Sequence, residues 1–501
     1  MFELIISMLF LVVLMFPVLN QYSVVQSCHY EILRYFKYKK CKKVLITLLN
    51  IGLFIMSFFL SDIDKNVITV LLIFIISFAF YKKEKVKFTK RIKRFVFVYF
   101  IIGILLFSFF QQRLLLIRLI SSLFIFYLVF IHFISCLLEK TIMSFYVRDA
   151  KKIVEKVKVV GITGSYGKTS CKNIIYDMLK CDFNVSKTPK SFNTKVGIIK
   201  SIRENVNKED DYFICEYGVD KKGGMDKLLK IVKPNISLIT EVGHQHILTF
   251  KNIENIKSEK IKIAKSLKED EFAVINNDNE YLKKEVKLMK CNVITYGVKN
   301  SSDIMAKNIK MSSRGSSFDL YIKGKKHKKI NSVLLGEHNV LNILGGIGVL
   351  YAIGIDLKDI DYRVSLIKQV EHRLELRLLQ GVKVIDDSFN SNVIGFKKAI
   401  DVLNLMKEEK YVITPGVIEQ GVDSCRVNYE LGKYMACKID FAILVEDNAG
   451  VIKQGLIDGG LSEDKIVVKN NFIEAWCFVK EINNDNKIFL IENDLPSIYL
   501  K

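Results

Sequence analysis

The chain is short of acids: Lys plus Arg number 75 against 53 Asp plus Glu, which leaves a net charge of +22. Such an excess suits nucleic acid, an anionic membrane surface or an anionic substrate, and the placement of the charge separates these readings. Two dense basic clusters, Arg34 to Lys43 and Lys82 to Arg94, lie between apolar stretches. Positive-inside topology and anionic lipid account for them there, so no nucleic-acid partner is expected. The ten cysteines show no CxxC pair and no ligand-like spacing. That speaks against a zinc site or a disulfide framework and for isolated, reduced thiols. A cleavable signal peptide is not expected either, because Met1 to Val24 lacks a basic n-region and is followed by more apolar segments.

What is present is unevenly spread. Hydrophobic residues make up 50% of the 501 positions and are concentrated in the first 140, while the remainder has an ordinary soluble composition. At roughly 100 to 200 residues per domain the length suggests three or so domains. Five apolar segments can be read, at Leu4 to Val24, Val44 to Leu60, Val67 to Phe80, Phe95 to Phe110 and Leu114 to Leu138. A spanning helix needs about 20 apolar residues, with about 17 as a lower limit, so the third and fourth imply tilt, local thinning or re-entry. The first and third connections are strongly basic, Ser61 to Asn66 is near neutral, and the stretch after Leu138 is basic again. This places the amino terminus outside, everything after residue 140 inside, and makes the lipid bilayer an expected partner. His132 within the fifth segment, and Gln111, Gln112, Arg113 and Arg118 near its outer end, are functional candidates. Snorkelling arginines and a helix-packing histidine are the plainer reading of them.

From Val157 the pattern changes to an apolar run of strand length, then Thr163-Gly-Ser-Tyr-Gly-Lys-Thr-Ser170, then the helical pattern Asn173 to Leu179. A strand, a glycine-containing turn and a helix form the context that a phosphate-binding loop needs. Backbone amides around Gly164, Ser165, Gly167 and Ser170 would cradle phosphate, Lys168 supplies a point charge, and the Thr169 hydroxyl can reach magnesium. The strict GxxxxGK spacing is not met, because Ile162 stands where the first glycine would be; Gly161 and Gly164 flank the turn instead.

Gly161 to Ser170 resembles the ATP loop of the Mur ligases, enzymes that join amino acids or short peptides to carboxylates in cell-wall precursors. Further stretches resemble that family in its own order. Ile214-Cys-Glu216-Tyr-Gly218 is similar to the strand carrying a magnesium-binding glutamate. Lys233 to Gly243, followed by His246, is similar to a strand and turn whose histidine also serves magnesium. Leu335-Gly-Glu-His-Asn-Val-Leu-Asn342 resembles the adenine-site helix. Glu371-His-Arg373-Leu-Glu375 resembles the arginine motif opening the C-terminal domain, and Ile385 to Asn392 resembles the strand and turn whose aspartate, here Asp387, contacts ribose. Among the classical members the MurF type, which adds a dipeptide, is nearest. Fourteen residues after His246 stands Lys260, where the family carries a lysine that carbon dioxide carbamylates into a second magnesium ligand. Several lysines lie within one turn of it, so a solvated basic helix face is the alternative.

The resemblance implies ATP and Mg2+ as cofactors and an acyl-phosphate route: the γ-phosphate activates a carboxylate, an amine attacks, and ADP and phosphate leave. Phosphoryl transfer asks for positioning and charge neutralisation more than covalent help. Lys168, Lys260 and His246 are the expected catalytic residues, and Thr169, Glu216, His246 and Lys260 the metal set. His338, Asn339 and Asn342 would frame adenine, with Arg373 and Asp387 closing over ribose and phosphates from the second domain. Read alone, His246 is more often a turn histidine, a preference that its place after an Ile-Thr strand and fourteen residues before a lysine reverses, and the start of the helix at His338 is equally a cap with a buried amide.

Departures from the family pattern point at the substrate. The domain that binds the uridine-diphosphate end in a MurF-type enzyme has no counterpart, and membrane helices stand in its place. Val393, Tyr411 to Glu419 and Ile491 to Pro496 differ where the family selects its amine. The expected organisation is an α-helical transmembrane bundle at 1–140, a basic linker at 141–156, a P-loop Mur-type α/β central domain at 157–360 and a Rossmann-like C-terminal domain at 370–501. The expected activity is an ADP-forming acid–amino-acid ligase in peptidoglycan synthesis, anchored in the cell membrane with its catalytic domains cytoplasmic. Its acceptor would be a carboxylate, lipid-linked or polymeric, and its donor an amino acid or peptide, with protein partners open. A polyglutamate-type synthetase and an ATP-binding membrane scaffold are the competing readings.

Overall fold

The computed structural model describes residues 2–27, 30, 55, 86–110, 112–389, 392–417, 423–445 and 448–492. The chain divides into two compact units, Met1–Tyr146 and Val147–Lys501.

In the first unit, α1 (Phe2–Ser27), α2 (Lys90–Phe109), α3 (Arg113–Ser122) and α4 (Phe124–Val154) are the described helices, the last running on into the second unit. Phe10, Leu14, Val18, Tyr22, Phe95, Tyr99, Leu116 and Leu128 pack into one core. Large apolar side chains also cover the outward faces, with Phe16 78%, Phe97 66% and Phe109 84% exposed. A helix apolar on every side needs an apolar surrounding. Three stretches, Ile5–Gln26, Lys90–Phe109 and Phe126–Val154, are long and apolar enough to cross a membrane. The second and third expected segments lie outside the described residues, Ile55 apart, as does Gln111.

The fifth segment is not one helix. It breaks at Leu123, directly after the Ser121-Ser122 pair that ends α3, and paired small hydroxyl residues are a usual site of such kinks. Helix α4 then continues sixteen residues beyond Leu138, so most of the 141–156 stretch is helical.

The second unit carries two sheets, and the apolar run read from Val157 forms a buried strand of the first. The first contains β1 (Lys158–Thr163), β2 (Val185–Lys187), β3 (Tyr212–Glu216), β4 (Ile236–Ile239), β5 (Phe272–Asn276), β6 (Asn292–Gly297), β7 (Ile304–Ser312), β8 (Gly315–Ile322) and β9 (Lys325–Ser332). Their order is β2-β3-β1-β4-β5-β6-β7-β8-β9, parallel from β2 to β7 and antiparallel beyond. Five of the six residues of β1 are buried, as a strand covered on both faces by helices requires. β1 lies between β3 and β4, so the chain order reverses there, and ligands of open α/β sheets bind beyond the strand ends at such a switch.

The second sheet contains β10 (Glu375–Leu379), β11 (Val382–Asp387), β12 (Glu409–Thr414), β13 (Phe441–Val445), β14 (Ile466–Lys469) and β15 (Lys487–Glu492). Its order is β10-β11-β15-β12-β13-β14, parallel except for the first pair. β10 is an antiparallel edge strand of this sheet.

Candidate active site

The loop after β1 is shaped by two glycines. A Cβ on Gly164 would sit 1.9 Å from Thr240 Oγ1, so the loop can lie against the end of β4 only with glycine there. Gly167 has φ +77, and a Cβ on it would lie 2.6 Å from Asn342 Oδ1. Close approach at Gly164 thus does the work that the missing first glycine does in a strict P-loop. Ser165 fastens the loop to the same strand end, its Oγ donating to Gly243 O at 3.1 Å and accepting from Gly243 N at 2.9 Å. Helix α5 (Lys168–Leu179) starts directly behind, with half-buried Ser170 in its first turn.

Two ammonium groups meet on one oxygen. Lys168 Nζ donates to Gly164 O at 2.7 Å and to Ser165 O at 3.1 Å, and Lys260 Nζ donates to Gly164 O at 2.9 Å. Lys260 reaches inward from α7 (Ile253–Lys265), and only 2% of it is exposed, which removes the solvated-face reading. Burial pushes Lys168 down to about 8, with Arg373 adding to the fall and Glu216 opposing it. Burial, with Lys168 beside it, holds Lys260 well below the ordinary lysine range. Desolvated cations sharing a carbonyl are the complement of an anion.

Glu216, at the end of β3, is 1% exposed and fully engaged. Its Oε2 accepts from Thr169 Oγ1 at 3.0 Å and from Lys172 Nζ at 3.0 Å, and its Oε1 accepts from Asn193 Nδ2 at 2.9 Å. Burial alone would raise its pKa, but Lys172, Lys168 and the Asn193 bond together hold it below the usual range. Lys172 also donates to Lys190 O, tying α5 to the loop before α6 (Lys195–Asn205). Thr169 and Glu216 are thus brought together. His246 stands on the exposed turn after β4, in a left-handed backbone with φ 57, where its carbonyl accepts from Thr249 N at 3.0 Å.

The expected adenine-site residues divide. His338 opens α8 (Glu337–Ile353), and its Nδ1 is buried with no partner among the described residues. Burial pushes its pKa down to about 3, with Lys398 and Arg373 contributing, so the ring is neutral. Asn339 donates to Leu335 O at 2.8 Å and accepts from Asn342 Nδ2 at 3.1 Å, while Asn342 Oδ1 accepts from Cys171 Sγ at 3.3 Å. These amides brace α8 against α5, and His338 holds the open edge. An orphaned ring nitrogen near two cationic groups fits a nucleobase and its phosphates.

Arg373 follows the first unit-two sheet in sequence and precedes the second. Its Nη1 donates to Phe389 O at 2.8 Å, and its guanidinium carbon lies 4.6 Å from the Phe389 ring centroid. The residues on either side, His372 and Leu374, have φ 59 and 51, left-handed values that cost non-glycine residues energy. Bonds hold this loop in place: His372 Nδ1 lies 2.9 Å from Asp386 Oδ2, and Leu374 N donates to Asp387 Oδ1 at 3.2 Å. Burial pushes Asp387 up to about 6, and Arg373 opposes the rise. His372, Glu375 and Asp386 converge closely enough to hold a metal ion, but Arg377 Nη2 already occupies Asp386 Oδ2 at 2.5 Å. That cluster is a brace for Arg373.

Comparison with known proteins bears on this geometry, because the Mur ligase middle-domain model matches residues 162–350. Residues 162–350 are a Mur ligase middle domain. A UDP-N-acetylmuramoyl-tripeptide–D-alanyl-D-alanine ligase of Buchnera aphidicola subsp. Baizongia pistaciae is 31% identical over 265 residues, 52% of this chain and 57% of that one. Its counterpart in Bacillus subtilis is 28% identical over 270 residues, 53% and 57% of the two chains. The chain therefore spans less than two thirds of the length of these relatives. MurF from Acinetobacter baumannii superposes with a TM-score of 0.62 at 21% identity, covering 70% of this chain and 76% of that one. The MurF ligase of Thermotoga maritima in complex with ADP gives 0.61 at 24%, covering 70% and 80%. The Mur ligase middle domain holds the loop, Glu216, Lys260 and His338, whereas Arg373 and Asp387 lie beyond its matched residues. Lys172 and Asn193 were missed in the sequence reading. Lys172 stands four residues after Lys168 on one helix face and was legible by that spacing; Asn193 lies in an irregular loop with no periodicity to mark it.

Proposed function

We propose that this protein is a membrane-anchored, ATP-dependent ligase that forms an amide bond between an amino acid or short peptide and a carboxylate of a cell-wall precursor or related polymer. The observation that carries the reading is the pair of lysine side chains, Lys168 and Lys260, converging on Gly164 O. ATP would supply the phosphoryl group that turns a carboxylate oxygen into a leaving group, and Mg2+ would neutralise the phosphates.

The chain's own residues do the rest. Lys168, held by the loop carbonyls, would turn to the terminal phosphates of ATP, and the loop amides with the start of α5 would hold the others. Thr169 and Glu216 are hard oxygen ligands of the kind magnesium takes, with His246 on the turn after β4 as a third candidate. Neutral His338 accepts from, or donates to, the base edge without adding charge. Arg373 brings a planar guanidinium from the second sheet, and its effect is felt at Lys168. We assign carbamylation to Lys260: its amine must be neutral to attack carbon dioxide, and burial beside Lys168 favours the neutral form. The carbamate that forms, with loss of one proton, converts a cation into a carboxylate-like ligand beside the phosphate site.

Three helices with apolar outward faces support anchoring, and the basic stretches beside them support a cytoplasmic catalytic unit. An acceptor carboxylate held at the membrane then replaces a free nucleotide-linked one. Purified protein in detergent is expected to release phosphate only when a carboxylate acceptor and an amine donor are both present. Phosphate release that ignores both substrates would count against ligation.

A further inference from the structure

Two arginines one turn apart on α2 are treated differently within the unit Met1–Tyr146. Arg94 forks onto Glu139 of α4, Nε to Oε1 at 2.6 Å and Nη2 to Oε2 at 2.8 Å. Arg91 has no carboxylate among the described residues. Its Nη2 reaches Cys136 Sγ at 3.8 Å, its guanidinium carbon lies 3.7 Å from the Tyr30 ring centroid, and its Nε is buried without an acceptor. The groups around it are neutral and polar. Tyr22 Oη lies 3.2 Å from His132 Nδ1, and His132 Nε2 lies 3.3 Å from Cys136 Sγ. The Tyr22 ring is stacked on Phe95 at 3.6 Å, which fixes the hydroxyl in place.

A guanidinium stays charged and presents a planar donor fork that matches phosphate oxygens. Shielded from water on one side and meeting no acid among the described residues, it has room for an anion brought by a ligand. Arg91 stands at the start of α2, whose amide dipole also favours an anion there. The same residues belong to the basic cluster that positive-inside topology places at the inner leaflet. An anion available at that depth is one carried on lipid.

We propose that Arg91, with Tyr30, His132 and Cys136 around it, binds a phosphate group borne by a membrane lipid at the cytoplasmic leaflet. This rests on the membrane-anchored reading above. Bulk phosphatidylglycerol and an isoprenyl phosphate share the chemistry, the first serving as an anchor and the second as the carrier of an acceptor.

The test is lipid binding to the full-length protein in detergent, read by native mass spectrometry with phosphatidylglycerol, an isoprenyl phosphate and phosphate-free diacylglycerol as probes. Both phosphate lipids should bind at least tenfold better than diacylglycerol. Arg91→Gln should bring that ratio close to one, and Lys93→Gln, exposed on the same turn, should leave it unchanged. Arg91→Lys, which keeps the charge and loses the fork, should fall between and covers the case in which the glutamine variant fails to fold. A tenfold preference for the isoprenyl phosphate assigns the site to a lipid-linked acceptor, and equal binding assigns it to the headgroup. Diacylglycerol binding as well as either phosphate lipid, or an unchanged ratio in Arg91→Gln, overturns the proposal. No turnover enters the measurement, so a failure of ligase activity leaves it untouched, and a failure here leaves the ligase reading untouched.

Discussion

Cations are met in two ways, and both occur in each half of the molecule. In Val147–Lys501, Lys172 faces Glu216, each 1% exposed, while Lys168 and Lys260 converge on a carbonyl. In Met1–Tyr146, Arg94 faces Glu139 while Arg91 faces a thiol and a ring. A cation supplied with its own acid is a brace, and removing either partner leaves a charge stranded. A cation left without one marks the place where a ligand brings the opposite charge. The contrast can be broken or sharpened residue by residue.

The largest effect is expected at the brace. Lys172→Met strands Glu216 and should lower unfolding free energy by about 3–5 kcal/mol, read as a denaturation midpoint. Adding Glu216→Gln should recover most of the loss, and an unshifted midpoint in the single variant would remove Lys172 from the braces. Lys168→Ala should do the reverse, keeping the fold by circular dichroism while lowering substrate-dependent phosphate release by about 10²–10³-fold, the range seen when one positioned donor is lost.

The same lysine gives two pH dependences of opposite sign. Its folded pKa lies near 8, below that of the unfolded chain. Above pH 8 the unfolded chain holds the proton that the folded one has lost, so stability contributed by Lys168 rises with pH up to the ordinary lysine range. Nucleotide affinity should fall over the same interval, because the neutral amine attracts phosphate less. Titration calorimetry and denaturation at pH 7.5 and 9.5 would separate the two, and parallel slopes would contradict this account of Lys168.

Gly167→Ala should cost about 1–2 kcal/mol for the left-handed backbone, with crowding against Asn342 added. At the small end, Arg203 pairs with Asp149 at 2.7 Å while both remain a third or more exposed. Arg203→Ala should therefore change stability by about 0.2–1 kcal/mol, a calibration for the buried pairs.

Where residues act through periodicity or through a turn they cannot avoid, the sequence was legible. The run before Thr163, the glycine turn and the helix after it form β1, the loop and α5. Contacts made across the fold were not legible. Asn339 and Asn342 sit in the expected helix, yet a motif does not say which way an amide points, and here they brace α5 while His338 keeps the open nitrogen. The break at Leu123 lies within one apolar segment, whose mean hydropathy hides the Ser121-Ser122 pair that precedes it. The left-handed pair around Arg373 uses His and Leu where a turn rule would ask for glycine, and is held by Asp386 and Asp387 from a strand ten or more residues away.

The shared oxygen of Gly164 has a consequence for the end of a catalytic cycle. On the proposed reading, phosphates would take Lys168 from that carbonyl while Lys260 carries its carbamate; once the phosphates weaken their grip, the carbonyl would draw Lys168 back. The loop would thereby carry its own competitor for the lysine that retains product. A competitor tethered a few ångströms away acts at high effective concentration, so departure of the spent nucleotide is assisted from within.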